Sequence, residues 1–156
     1  MAFNRQAALT ILGASAVAVS GAADVAENIL ATITVPAGAM GLKGILRIDT
    51  IWSFTNSANN KTLFVRLGAG GSTYLNIIHT TLLTARHLTM VTNRGVANSQ
   101  VGMPGGKDGG VGASAGALTT SAVDTSLATS IIIAGQKALA GETLTLEAYL
   151  VELLLP

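Results

Sequence analysis

The chain contains no cysteine, which excludes disulfide bonds, thiol catalysis and metal sites built from thiolates. It also has few charges, because Asp, Glu, Lys and Arg make up only 11% of the 156 residues, against about a quarter in a typical soluble domain. So few charges solvate a lone monomer poorly. We therefore expect a homo-oligomer, most simply a trimer, whose contact surfaces resemble a protein core.

Long apolar runs and clusters of one charge sign are also missing. No run reaches the roughly 20 strongly apolar residues that a membrane-spanning helix needs, so we expect no membrane partner. The net charge is +1, and the nine Lys and Arg residues are spread along the chain. Binding to nucleic acid requires several such residues on one face, so we expect no nucleic-acid partner.

Groups that could carry chemistry are scarce. His79 and His87 are the only histidines, and a metal site would need a third ligand, so we expect both to be surface or interface residues. The Ser-centred glycine motif of hydrolases is absent. The stretch "VGMPGGKDGG" fails as a phosphate loop, because Val101 stands where a glycine is required and Asp108 follows Lys107. We expect no enzyme, no cofactor and no metal.

Apolar and polar residues alternate with a period of two along most of the chain, which predicts strands. In "GILRIDTIWSF" one face carries Leu46, Ile48, Thr50, Trp52 and Phe54. The other face carries Arg47 and Asp49, which are placed to pair with each other. In the last strand we expect Leu144, Leu146, Ala148 and Leu150 to share a face. Eight to ten strands without a helical period predict an all-β antiparallel sandwich of jelly-roll type.

The stretch "WSFTNSANNKTLFVRL" has two apolar runs around a cluster of Asn and Ser at residues 56–60. Asn tolerates the left-handed backbone of tight connections. The spacing predicts that the two runs form one β-hairpin.

Composition divides the chain into an N-terminal segment, residues 1–24, and a sandwich domain, residues 25–156, with a Gly-rich loop at 95–117. The first segment has the outline of a secretory signal peptide. However, Val17 and Val19 alternate with small residues, so we expect an arm or a strand. The loop holds eight glycines without an apolar period, and loops of this length are usually functional or disordered.

Three stretches carry a resemblance to known proteins: "LATITVPAGAMGLKGILRIDTIWSFTNSANNKTLFVRLG", "NRGVANSQVG" and "GETLTLEAYLVELL". Together they resemble a group of small bacteriophage and prophage structural proteins. The resemblance implies a virion protein with a jelly-roll-like sandwich that serves as capsid decoration (cement) protein, head-fibre piece or tail component. It transfers no catalytic residues, and the Gly-rich segment departs most from the expected pattern.

The sequence therefore favours a decoration protein that binds the major capsid protein or other virion proteins. A tail-fibre, tail-spike or baseplate module that contacts the host is the alternative, and a carbohydrate-binding module or sandwich enzyme is a third hypothesis. The N-terminal segment and the Gly-rich loop are the available attachment elements, the first because it allows strand addition to a neighbour. The candidate interaction residues are Leu9, Ile11, Val17, Val19, Gly105, Lys107 and Asp108.

Overall fold

The computed structural model describes residues 8–102 and 118–156, which contain eleven strands and no helix that could span a membrane. The strands are β1 (Ala8–Ser15), β2 (Val19–Ser20), β3 (Asn28–Val35), β4 (Ile45–Phe54), β5 (Lys61–Leu67), β6 (Thr73–His79), β7 (Thr84–Asn93), β8 (Gln100–Gly102), β9 (Thr119–Ser121), β10 (Thr129–Lys137) and β11 (Leu144–Leu155). The predicted all-β class is confirmed.

The strands form two antiparallel sheets with the connectivity of a jelly roll. The large sheet runs β1-β11-β4-β7-β8-β9, with β2 also paired to β11, and the small sheet runs β3-β10-β5-β6. The sandwich has eight main strands, β1, β3, β4, β5, β6, β7, β10 and β11. Among these, β5 and β6 are the one pair of successive strands that lies in the same sheet. The other connections cross between the sheets, as in the double-sheet jelly rolls of viral capsid, lectin and cupin domains.

The core lies between the two sheets and is built from the inward-facing positions of their strands. In β4 the alternate residues Leu46, Ile48, Thr50, Trp52 and Phe54 are all buried, as the sequence predicts. The small sheet contributes Leu63, Val65, Ile131 and Ile133 from its two central strands. Two sheets packed in this way bury a layer about 10 Å thick.

The predicted hairpin of β4 and β5 is wrong. These two strands lie in different sheets, and residues 55–60 cross from one sheet to the other. The hairpin partner of β5 is β6, reached through residues 68–72, where Gly68 and Gly70 have φ angles of +80° and +70°. Both β4 and β5 have one apolar face that must be buried. Two strands bury such faces equally well when they lie in opposite sheets of a sandwich and when they pair in one sheet, so alternation alone does not distinguish the two arrangements.

The predicted alternation of β11 is correct only in its first half. The pairing with β4 shifts between Leu146 and Ala148, so Glu147 is an extra residue in the strand. Beyond this bulge the buried side chains are Val151 and Leu153, and Leu150 lies on the outer face. A single inserted residue reverses the facing of every residue after it.

Candidate interaction surface

The N-terminal segment provides an edge strand of the large sheet. β1 pairs antiparallel with β11, with Leu9 opposite Leu154 and Ile11 opposite Glu152. Directly opposed residues point to the same face of a sheet, so Leu9 and Ile11 lie on the outer face. Their side chains are 60% and 62% exposed.

The outer face of the large sheet carries a group of exposed apolar side chains from three strands, β1, β4 and β7. We call this surface the open face and define it by Leu9, Ile11, Ile51, Leu88 and Met90. The register places them together, because Ile51 lies on β4, and Leu88 and Met90 lie on β7 opposite Asp49 and Arg47. Leu150 and Leu154 lie on the same face of β11, which is the strand between β1 and β4. A solvated outer face is normally polar, and an exposed apolar group of this kind marks an interaction surface.

Two ion pairs lie within the open face. Arg47 Nη1 is 3.6 Å from Glu152 Oε2, and Arg86 forms a hydrogen-bonded pair with Asp49. The predicted pairing of Arg47 with Asp49 is therefore wrong. Arg47 pairs with Glu152, which lies directly opposite it on β11, and Asp49 pairs with Arg86, which lies diagonally across on β7. The Arg86 hydrogen bond holds the pKa of Asp49 below its ordinary value, against the opposing effect of burial.

A shallow depression of about 160 Å³ adjoins the Asp49–Arg86 pair. It is lined by Asp49, Ile51, Arg86, Ala148, Tyr149 and Leu150. Both arginines are more exposed than their carboxylate partners. The open face thus presents aliphatic side chains around guanidinium groups whose charge is already neutralised, which suits a protein partner better than a phosphate.

The outer face of the small sheet is arranged differently. Phe64 points outward from β5, but the Arg66 guanidinium lies 4.5 Å from its ring centroid and leaves the side chain buried. Glu27 holds Arg66 with both carboxylate oxygens, one of them 2.7 Å from Nη2. The chain therefore covers the aromatic residue of this face with its own ion pair, while the apolar residues of the open face have no such cover among the described residues.

The main chain of β1 offers a second mode of contact. Among the described residues β1 pairs only with β11, so its other edge has free N–H and C=O groups. Charged residues and proline commonly protect sheet edges from further pairing. Residues 8–20 contain neither. This edge is therefore suited to strand addition.

Val17 and Val19, which were also candidate interaction residues, are not brought into the open face. Val17 is 76% exposed and lies between β1 and β2, and Val19 pairs with Leu146 on the inner side of the sheet. Gly105, Lys107 and Asp108 lie outside the described residues. Leu88 and Met90 belong to the surface but were not predicted as interaction residues, although "RHLTM" alternates with the correct period.

A buried polar network holds the base of the segment between β8 and β9. The Gln100 Nε2 group donates to Asn93 Oδ1 and to the carbonyl oxygens of Ala97 and Val123. The Gln100 Oε1 atom accepts from Ser121 Oγ and from the Val123 N–H. Gln100 and Ser121 face each other across β8 and β9, so the network ties these two short strands together. The predicted loop 95–117 therefore contains a short strand, β8, at residues 100–102.

His79 and His87 face each other at the edge of the sandwich where β6 and β7 meet. The Nε2 atoms are 2.9 Å apart, which is a hydrogen-bond distance. The two side chains are half-buried rather than simple surface residues. No group of three or more His, Cys, Asp or Glu side chains that could hold a metal lies in residues 8–102 and 118–156.

The chain matches no protein-family model and no curated protein sequence. It is similar to a chain in the structure of infectious bursal disease virus Gx strain, with a TM-score of 0.29 and 11% identity over 96% of this chain and 40% of that one. For the Gt strain of that virus the TM-score is 0.25, with 12% identity over 97% and 42% of the two chains. The chain thus spans about two fifths of these proteins. Similarity this low carries no argument about fold or function.

Proposed function

We propose that this protein is a non-enzymatic structural component of a bacteriophage particle, and specifically a decoration protein that attaches to the head. The observation that carries the proposal is a jelly roll whose open face exposes five large apolar side chains, whereas the outer face of the small sheet covers its aromatic residue with an ion pair and exposes Ile29 and Ile78. A protein that works alone in solution gains nothing from such a face. A subunit of a shell covers it with neighbouring subunits.

The resemblance to small phage structural proteins supports the same proposal, since the most specific stretch, "WSFTNSANNKTL", now has structural roles. Trp52 and Phe54 are core residues, and Asn59 donates to Glu142 Oε1 at 2.8 Å. Glu142 Oε2 in turn lies 3.3 Å from the buried Lys61 Nζ. These residues hold the crossing between the sheets, so the stretch has a role in the fold.

We further propose that the protein forms a homotrimer and contacts the major capsid protein through the open face and the β1 edge. The exposed aliphatic side chains match the apolar core of a stable protein interface. The charges among them are already paired within the chain. The free edge of β1 adds main-chain hydrogen bonds, which supply affinity without requiring charged groups.

The experiment is a rebinding assay on particles stripped of this protein. Leu88→Asp places a charge within the open face, on β7, and Ile78→Asp places one on the outer face of the small sheet. Both positions are about half exposed, at 48% and 56%, so both variants are expected to fold, as circular dichroism would verify. We expect Leu88→Asp to lose occupancy on the particle by at least tenfold and Ile78→Asp to rebind as the unmodified protein does.

Copy number separates the head from the tail. Quantitative mass spectrometry of intact particles should find hundreds of copies of a decoration protein. Tens of copies or fewer would favour a tail-fibre, tail-spike or baseplate module.

The two variants test the open face itself. If Leu88→Asp and Ile78→Asp both lost binding to the same extent, or if neither lost binding, the proposed role of the open face would be contradicted.

A further inference from the structure

Beyond the end of the β4–β7 pairing, the two loops that adjoin these strands stay hydrogen-bonded to each other. The Gly95 N–H donates to the Leu42 carbonyl oxygen at 2.9 Å, and the Asn93 N–H donates to the Gly44 carbonyl oxygen at 3.0 Å. Both bonds keep the spacing of the paired strands, in which residue 45 lies opposite residue 92. Residues 43 and 94 therefore lie opposite each other as well.

The two residues that this spacing brings together are both cations, Lys43 and Arg94. Both are exposed, whereas their neighbours Gly44 and Asn93 are buried. Successive residues of a strand point to opposite faces of a sheet, so both cations belong to the outer face of the large sheet. Like charges in opposed positions disfavour each other. We call Lys43 and Arg94 the basic end.

The basic end adjoins the open face. Leu9 of the open face lies opposite Leu154, and Leu154 lies opposite Ile45 at the start of β4. The basic end begins two residues beyond Ile45. Two further apolar side chains lie close to it in sequence, Leu42 and Val96, which are 58% and 48% exposed. The apolar surface therefore continues up to the two cations.

Every other described cation is already compensated. Within residues 8–102 and 118–156, four cations form ion pairs: Arg47, Lys61, Arg66 and Arg86. Lys137 is buried, and its Nζ donates to the carbonyl oxygens of Ala22, Ala140 and Glu142. In the same part of the chain, Lys43 and Arg94 have no ion pair and no side-chain hydrogen bond. An anionic group of a partner would match this local positive potential.

The described carboxylates of a second copy are already occupied. Four of them hold the paired cations: Glu27, Asp49, Glu142 and Glu152. The other three accept hydrogen bonds from their own chain: Asp24, Asp124 and Glu147. Nucleic acid also fits poorly, because it requires more cations on one face than these two.

We infer that the basic end binds a carboxylate of a different protein, presented by an acidic segment of the subunit that covers the open face. This inference rests on the proposed attachment of the open face to the particle. It specifies the chemistry of the partner, which is a segment with Asp or Glu next to apolar side chains. The carboxylate fixes the orientation of the partner on a surface that is otherwise apolar.

The first experiment is the rebinding assay on stripped particles, repeated between about 50 and 500 mM salt. Lys43→Gln combined with Arg94→Gln removes both charges and keeps the loop contacts, which are main-chain hydrogen bonds. Asn76→Asp combined with Gln136→Glu is the control. It changes the net charge by the same amount at exposed positions on the outer face of the small sheet. Circular dichroism verifies that both variants fold.

We expect the unmodified protein to bind more weakly as the salt concentration rises, because exposed ion pairs are screened. The double Gln variant should bind about tenfold more weakly at low salt and respond little to salt, and the control should follow the unmodified protein. Salt-independent binding that the double Gln variant retains would overturn the inference and leave the proposed function intact. Failure of the unmodified protein to bind particles would overturn both.

Carbodiimide cross-linking identifies the partner group, because this reagent joins an amine to a neighbouring carboxylate without a spacer. Lys43 is the one exposed lysine among the described residues, since Lys61 and Lys137 are buried. We expect mass spectrometry of rebound particles to find Lys43 joined to Asp or Glu of another virion protein. Lys43→Arg keeps the charge, so it should rebind fully and lack this product. A Lys43 product with a second copy of this chain, or no Lys43 product, would overturn the inference.

Discussion

At the scale of single residues, the fold depends on a few large side chains in a chain made mostly of small ones. Aromatic residues are only 4% of the sequence, and Trp52 is the largest fully buried side chain. It lies on the inner face of β4, between the strands β11 and β7. With so few large residues, the loss of one cannot be compensated by its small neighbours.

Trp52→Ala tests the inner face of β4. We expect the free energy of unfolding to fall by about 3–5 kcal/mol, because the change deletes buried surface and leaves a cavity. Urea unfolding followed by circular dichroism measures it, since the variant has no tryptophan to report by fluorescence. Trp52→Phe is the control. The Trp52 Nε1 atom has no hydrogen-bond partner among the described residues, so this variant loses no such bond and should lose clearly less stability. An unchanged midpoint for Trp52→Ala would show that the β4 register is wrong.

Gln100→Ala tests the buried polar network. The variant leaves Asn93 Oδ1 and the Val123 N–H without their buried partner, and each unsatisfied group costs about 1–3 kcal/mol. We expect lower stability and faster amide exchange in β8 and β9. Gln136→Ala serves as the control, because Gln136 is exposed and makes one hydrogen bond, to the Val25 carbonyl oxygen. Similar behaviour of the two variants would mean that the network does not hold the base of this segment.

At the scale of elements, periodicity predicts where strands lie better than it predicts which strands pair. The alternation in β4 specifies its buried face because one face is polar enough to be recognised. In β7 both faces carry apolar residues, so the alternation of Arg86, Leu88 and Met90 did not indicate that these residues point outward. The β4–β5 crossing and the β11 bulge depend on contacts between distant parts of the chain, which local spacing does not contain.

Deletion of residues 1–20 tests the edge formed by β1 and β2. The first residue of the buried core cluster is Leu30, and β11 keeps its pairing with β4 after the deletion. We expect a folded sandwich with a lower melting temperature and much weaker rebinding to stripped particles. A double variant, Leu9→Ser with Ile11→Ser, keeps the main-chain edge and removes its apolar side chains, so it separates the two contributions. Full-strength rebinding of the deletion variant would exclude this edge as the attachment element.

At the scale of the whole molecule, the two outer faces of the sandwich differ, and this difference is the basis of the functional account. On the small sheet the Glu27–Arg66 pair covers Phe64, and Ile29 and Ile78 are exposed. The open face exposes more apolar side chains, namely Leu9, Ile11, Ile51, Leu88 and Met90. The sequence indicated a low charge density and the need for a partner. It did not show which face the partner covers, because that depends on the sheet register.

Light scattering on the purified protein tests the proposed oligomer. We expect a mass of about three chains of 15.7 kDa, because association covers apolar surface that is otherwise exposed. Leu88→Asp, compared with Ile78→Asp, then shows whether the open face contributes. A monomer at micromolar concentration would contradict an obligate trimer and would confine assembly to the particle.

The most direct test of the central claim is a reconstruction of the intact phage particle by electron cryomicroscopy, at a resolution that places strands. The account predicts density for this jelly roll at many equivalent positions on the head, with the open face and the β1 edge covered by neighbouring subunits. Absence of the protein from the particle, or its presence with the open face turned to solvent, would contradict the account.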